Sequence, residues 1–115
     1  MNYIVFDLEW NQCPYGKNRE VKTLPFEIIE IGAIKLNKDR EYVDRFHKII
    51  KPVVYPKLHF RTKEIVHLDQ DALEKGALFP DALREFLSWA GPESQFCTWV
   101  TIDLVELQRH MIYYG

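Results

Sequence analysis

Two acids spaced one residue apart close the first apolar run of the chain, Tyr3-Ile4-Val5-Phe6-Asp7-Leu8-Glu9-Trp10-Asn11. In a strand, side chains at i and i+2 leave the same face with Cα atoms roughly 6.5 Å apart, so Asp7 and Glu9 project together. Two carboxylates held that close repel, and a proton or a cation must compensate them. Their hard oxygen atoms suit a divalent ion. The same pattern also describes a strand end meeting water, and an isolated Asp-x-Glu does not separate the two readings. A third acid, Asp103, opens a helical stretch. Asp103-Leu104-Val105-Glu106 also matches an N-cap followed three residues later by Glu, a capping box with no chemical role. A helix N-terminus favours an ionised carboxylate, so cap and ligand are compatible readings.

The elements that must position these acids follow from apolar patterning. Tyr3 to Phe6 lacks polar alternation and is rich in β-branched and aromatic residues, which predicts a strand buried on both faces. Cys13 to Pro25, with Pro14, Gly16 and Asn18, reads as a loop overhanging that strand's end. Isoleucine-rich residues 28–36 predict a second strand in which Gly32 marks a bulge or a close backbone approach. Asn37-Lys38-Asp39 turns the chain into a third strand, Tyr42 to Ile50, antiparallel to the second. Val53 to Arg61 reads as loop. Asp69 to Gly76 carries the N-cap acid and terminal glycine of a short helix. Pro80 starts another, with Leu83, Phe86, Leu87 and Ala90 at helical spacing and Gly91-Pro92 as its stop. Gln95 to Val100 predicts a fourth strand, and Asp103 to Tyr114 a helix burying Leu104, Leu107, Met111 and Tyr114. The helical connection between strands 3 and 4 permits a right-handed crossover, with strand 4 parallel to strand 1 and both carboxyl ends at one edge. This is an α/β fold: a mixed sheet with helices packed on it, and Asp103 arriving near Asp7 and Glu9.

Length and composition bound the class. The 115 residues read as one domain, and the 47% apolar and 28% charged content is that of an ordinary globular protein. No apolar run is long enough to span a bilayer and no export leader is visible, so no membrane partner is expected. Cys13 and Cys97 form no metal or disulfide framework and read as reduced thiols, which predicts a cytoplasmic protein. The net charge of −2 gives no general attraction for nucleic acid. Locally, Arg45, Lys48, Lys51, Lys57, Arg61 and Lys63 occur without an intervening acid. They suit phosphate contact or a solvated strand edge equally.

Phe6-Asp7-Leu8-Glu9, Glu27-Ile28-Ile29-Glu30-Ile31-Gly32-Ala33, and Phe96-Cys97-Thr98-Trp99 followed by Asp103 together resemble the DEDD exonucleases. The nearest likeness is to the DEDDh branch, in particular the enzymes related to the histone-mRNA 3′ exonuclease and the sporulation-inhibitor-like bacterial proteins. The resemblance implies a ribonuclease H-like fold and 3′-5′ removal of nucleotides from single-stranded RNA or DNA ends. It also implies two Mg²⁺ or Mn²⁺ ions held by Asp7, Glu9 and Asp103. Leu8, Trp10 and the stretch from Ile65 to Leu68 are implied to meet the terminal sugar and base. Haloacid-dehalogenase-like phosphatases, by contrast, want Asp-x-Asp where this chain has Asp7-Leu8-Glu9.

The chain departs from the DEDDh pattern in its third motif, a His followed five residues later by Asp. His47, His59, His67 and His110 are followed at that spacing by Pro52, Glu64, Ala72 and Gly115. A general base and a metal ligand are therefore missing from residues 1–115, which read as an incomplete exonuclease domain. Val100 stands where the family often has glycine, and its β-branched side chain is expected to crowd Asp103 or to forbid a positive φ. Ile65-Val66-His67-Leu68 replaces Leu-Thr-Gly-Ile, and His67 beside Asp69 reads as a surface residue. An exposed strand 4 bearing Phe96, Trp99 and Val100 calls for a second copy or a C-terminal continuation to cover it. The competing reading is a non-catalytic nucleic-acid- or metal-binding fragment, or an interaction module.

Overall fold

The computed structural model describes residues Met1–Gly115, the side chain of Lys17 aside. Strands β1 (Asn2–Gln12), β2 (Phe26–Leu36), β3 (Tyr42–Ile49) and β4 (Ser94–Cys97) form one sheet in the order β3-β2-β1-β4. β1 pairs antiparallel with β2 and parallel with β4, and β2 pairs antiparallel with β3. Helices α1 (Phe60–Ile65), α2 (Gln70–Glu74) and α3 (Phe79–Ala90) occupy the crossover, and α4 (Thr101–Tyr114) follows β4. This is the expected mixed ribonuclease H-like sheet, with the parallel strand where the crossover argument put it.

Two apolar clusters hold the sheet between layers. The larger gathers Ile4, Phe6 and Leu8 of β1 with Ile28, Ile31 and Ala33 of β2 against Phe79, Ala82, Phe86 and Ala90 of α3 and Leu107 of α4. Phe6 meets Phe86 edge-on with ring centroids 6.0 Å apart. Each such buried side chain stabilises the fold by about 1.5–3 kcal/mol. The smaller cluster joins Ile29 to Leu58, Val66 and Leu73 beneath α1 and α2.

Local geometry differs from the sequence expectation in several places. The irregularity in β2 lies where Glu9 pairs with Glu30 and Trp10 with Ile28, so Ile29 is the extra residue. That bulge, and not Gly32, is what sends Ile28 and Ile31 to one cluster and Ile29 to the other. Gly32 has open space where a Cβ would stand, whereas a Cβ on Gly76 would lie 2.8 Å from the Lys51 amide nitrogen and 2.9 Å from the Ile49 carbonyl oxygen. The close backbone approach is therefore at Gly76, beside the Ile50–Ala77 bridge.

Phe60–Ile65 is a helix that begins inside the stretch expected as loop, because the His59 ring accepts the Arg61 amide at 3.1 Å and so acts as its N-cap. β4 ends at Cys97, short of Val100. In α3, Phe86 and Ala90 reach the core as predicted while Leu87 stays exposed. In α4 the buried face is Asp103, Glu106, Leu107 and His110, so of the predicted face only Leu107 is buried.

Candidate functional site

The parallel register sets the site. Val5 pairs with Cys97, the last residue of β4, while β1 runs on to Asp7 and Glu9. Thr98 to Val100 then turn the chain so that α4 begins at the same edge. Val100 occupies the N-cap position in extended conformation, φ −127°, with no side-chain cap bond. No positive φ is needed there, so the expected conflict with a β-branched residue does not arise, and Val100 is itself exposed.

Asp103 sits in the first turn of α4 and not at its cap, so the capping box is not formed. Its amide donates to the Val100 carbonyl at 3.1 Å and its carboxylate accepts the Thr98 hydroxyl at 3.1 Å. Only 4% of Asp103 is exposed. Burial raises its pKa above the ordinary value; the Thr98 bond opposes that shift, and the neighbouring Asp7 carboxylate adds to it. Glu9 is also raised, by burial first and then by the charges of Asp7, Glu30 and Asp103.

The three predicted acids thus share one patch of excess negative charge. Among the described residues, no three His, Cys, Asp or Glu side chains stand in an arrangement that could hold a metal ion as they are. The donor chemistry nonetheless fits Mg²⁺ or Mn²⁺: hard carboxylate oxygens, and mutual repulsion that a cation relieves.

Two small clefts open beside Glu9, each of 240 Å³. One is lined by Leu8, Glu9, Trp10, Gln12, Arg61, Thr62, Ile65 and Val66, so Leu8, Trp10 and Ile65 do meet around one of the acids. The other joins Glu9 and Glu30 to the segment from Ile65 to Leu68. Buried polar groups fix the 53–59 segment that leads into α1. Asn11, fully buried, donates to the carbonyls of Tyr55 at 3.0 Å and Lys57 at 2.9 Å and accepts the His59 amide at 2.9 Å. Glu27 accepts the amides of Val53, Val54 and Tyr55 at 2.7–3.2 Å.

Sequence reasoning assigned neither Asn11 nor Glu27 a role. The available signal was a polar residue at the end of one buried strand and another at the start of the next, where an unpartnered group would be costly. Arg61 was noted only as one of six basic residues. Of these, Arg61 lines the cleft, Arg45 lies in a groove containing Asp7, and Lys48 is paired with Glu85 at 2.6 Å.

The histidines are dispersed. His47 bonds Glu30, His59 caps α1, and His67 is an exposed wall of the second cleft. His110 is fully buried, accepting the Ile28 amide through Nε2 at 2.9 Å and donating from Nδ1 to the Glu106 carbonyl at 2.7 Å. Burial lowers its pKa to about 4.

Residues 4–111 match the Exonuclease family model. The probable 3′-5′ exonuclease KapD of Bacillus subtilis (strain 168) is 31% identical over 112 residues, which cover 96% of this chain and 53% of that protein. The PolC-type DNA polymerase III of Staphylococcus saprophyticus is 32% identical over 89 residues, covering 77% of this chain and 5% of the polymerase. The chain therefore spans about half of the first of these relatives and a small part of the second. Among solved structures, the nuclease domain of 3′hExo, a DEDDh family member bound to rAMP, superposes with a TM-score of 0.79 at 21% identity, covering 98% of this chain and 59% of that one. A full-length 3′-exonuclease gives 0.74 at 18% identity, covering 91% and 48%.

Proposed function

We propose that this chain, which belongs to the exonuclease family, is a metal-dependent 3′-5′ exonuclease domain acting on single-stranded RNA or DNA ends. The observation that carries the reading is the meeting of Asp103 with Asp7 and Glu9 across the β1–β4 edge, in a fold whose neighbours include a DEDDh nuclease bound to rAMP. Asp7, Glu9 and Asp103 would hold the ions. Two divalent ions in such a patch supply an activated water and charge stabilisation on the leaving oxygen. Among the residues themselves, Thr98 orients the Asp103 carboxylate. Trp10 and Ile65 offer apolar surface for a terminal nucleoside over the buried Leu8, with Arg61 in the same cleft for its phosphate.

A chain without the third-motif His and Asp is expected to turn over about 10² to 10⁴ times more slowly than one with a positioned base. A 5′-labelled single-stranded oligonucleotide with Mn²⁺ tests the proposal. Progressive shortening from the 3′ end by the chain, and none by Asp7→Ala, supports it; shortening that survives Asp7→Ala refutes it. The absence of any His-x4-Asp pair in the sequence favours a second reading, a nucleic-acid- or metal-binding module without turnover. Under it, oligonucleotide is bound in an Asp7- and Mn²⁺-dependent way and stays intact.

A further inference from the structure

Distinct from the nucleoside cleft, a groove of 530 Å³ runs over the sheet, lined by Val5, Asp7, Ile34, Arg45, Phe46 and Trp99 among others. Trp99 is 91% exposed. An indole left in water beside carboxylates is costly as a structural element and suited to a ligand that brings its own flat π surface. The turn that presents it is not loose. Thr98 both binds Asp103 and bridges the Val100 backbone, so Trp99 is held one residue from the group that fixes the acid patch. Arg45 is exposed, and among the described residues no ion pair engages its guanidinium. A π platform, a free cation and an adjoining carboxylate site along one groove match the alternation of bases and phosphates in a single strand.

We propose that the Trp99–Arg45 groove is the subsite for the nucleotides upstream of the reacting end, with a base stacked on Trp99 and a phosphate on Arg45. This inference rests on the exonuclease reading, because Asp7 lines the groove and Glu9, two residues on in β1, lines the nucleoside cleft, so the acids would receive the phosphodiester that joins them. The surface is accessible, so its substitutions should leave the fold intact.

The test is fluorescence anisotropy of a labelled single-stranded oligothymidylate in metal-free buffer, alongside shortening assays with Mn²⁺. Trp99→Ala is expected to weaken binding roughly 5- to 100-fold, Trp99→Phe to stay within about 3-fold of the parent, and Arg45→Ala to reduce the salt slope by about one unit. Unchanged binding in both Trp99→Ala and Arg45→Ala overturns the subsite. Trp99→Ala lowering the sedimentation mass without changing affinity overturns it too, by assigning the indole to contact between copies. If Trp99→Ala binds and shortens like the parent while Asp7→Ala does not shorten, only the subsite fails. If the parent chain neither binds nor shortens single strands, both readings fail.

Discussion

His110 gives the most quantitative test of how this chain holds its acids in place. The ring is fully buried, tilted against Phe79 at 5.2 Å between centroids, and bonded through both nitrogens. Because Nε2 accepts the Ile28 amide, the ring must be neutral with its proton on Nδ1, and protonation at Nε2 would set two donors against each other. Burial is the main cause of its lowered pKa; the charge of Arg109 adds to it, and the Glu106 carbonyl opposes it. The folded value of about 4 lies below the ordinary 6.5, so between these values the unfolded chain binds more protons than the folded one. Stability then rises with pH across the window: the contribution is fully present above about 6.5 and lost as pH falls through about 4. The difference of 2.5 units corresponds to about 3 kcal/mol.

The assay is urea unfolding from pH 7.5 to 4 for the parent and for His110→Leu, which cannot titrate and leaves the Ile28 amide unpaired. At pH 7.5 the variant should be less stable by about 1–3 kcal/mol. The gap between the two proteins should close by about 3 kcal/mol on acidification. The raised carboxyls Asp103, Glu9 and Glu106 titrate in both proteins with the opposite sign, so the difference isolates His110. Parallel stability curves between pH 6.5 and 4 would refute the reasoning.

Two further outcomes follow from the same geometry. Asp103 has a raised pKa, so its ionised form is disfavoured by the fold and stability falls as pH rises through its titration. Asp103→Asn should therefore raise the unfolding free energy of the metal-free protein at pH 7 by on the order of 1 kcal/mol and abolish any Mn²⁺-induced rise in Tm, with a less stable variant counting against the acid-patch account. Gly76→Ala would push a methyl into the Ile49–Lys51 backbone and should lower the urea midpoint by the equivalent of about 1–3 kcal/mol, an expectation that an unchanged midpoint would defeat.

What the sequence made legible was whatever local pattern encodes. Apolar runs located all four strands, the period of two put Asp7 and Glu9 on one face, and the helical crossover placed β4 parallel to β1. What it concealed depended on partners distant in the chain. Hydrophobic spacing on α4 selects Leu104, Leu107, Met111 and Tyr114, yet the helix turns Asp103, Glu106 and His110 inward because their partners Asp7, Arg109 and Ile28 include two that lie far away in sequence. Helix α1 was hidden because its cap is a histidine, a residue rarely read as one. Glycine type alone could not say that Gly76, and not Gly32, meets a neighbouring backbone.

These concealed contacts form one arrangement. The bulge at Ile29 lets Ile28 and Ile31 share the larger core while Glu30 stands opposite Glu9, and it presents the Ile28 amide to His110. Asp103 and His110 are seven residues apart on α4, two helical turns or about 10 Å. The helix is thus tied at one end to the β4 turn through Thr98–Asp103 and at the other to β2 through His110–Ile28. Between those ties Glu106 is buried, with one oxygen on Arg109 at 3.1 Å and the other without a partner among the described residues. A polar face that costs desolvation is thus anchored at both ends, which fixes the axial position of Asp103 against β1.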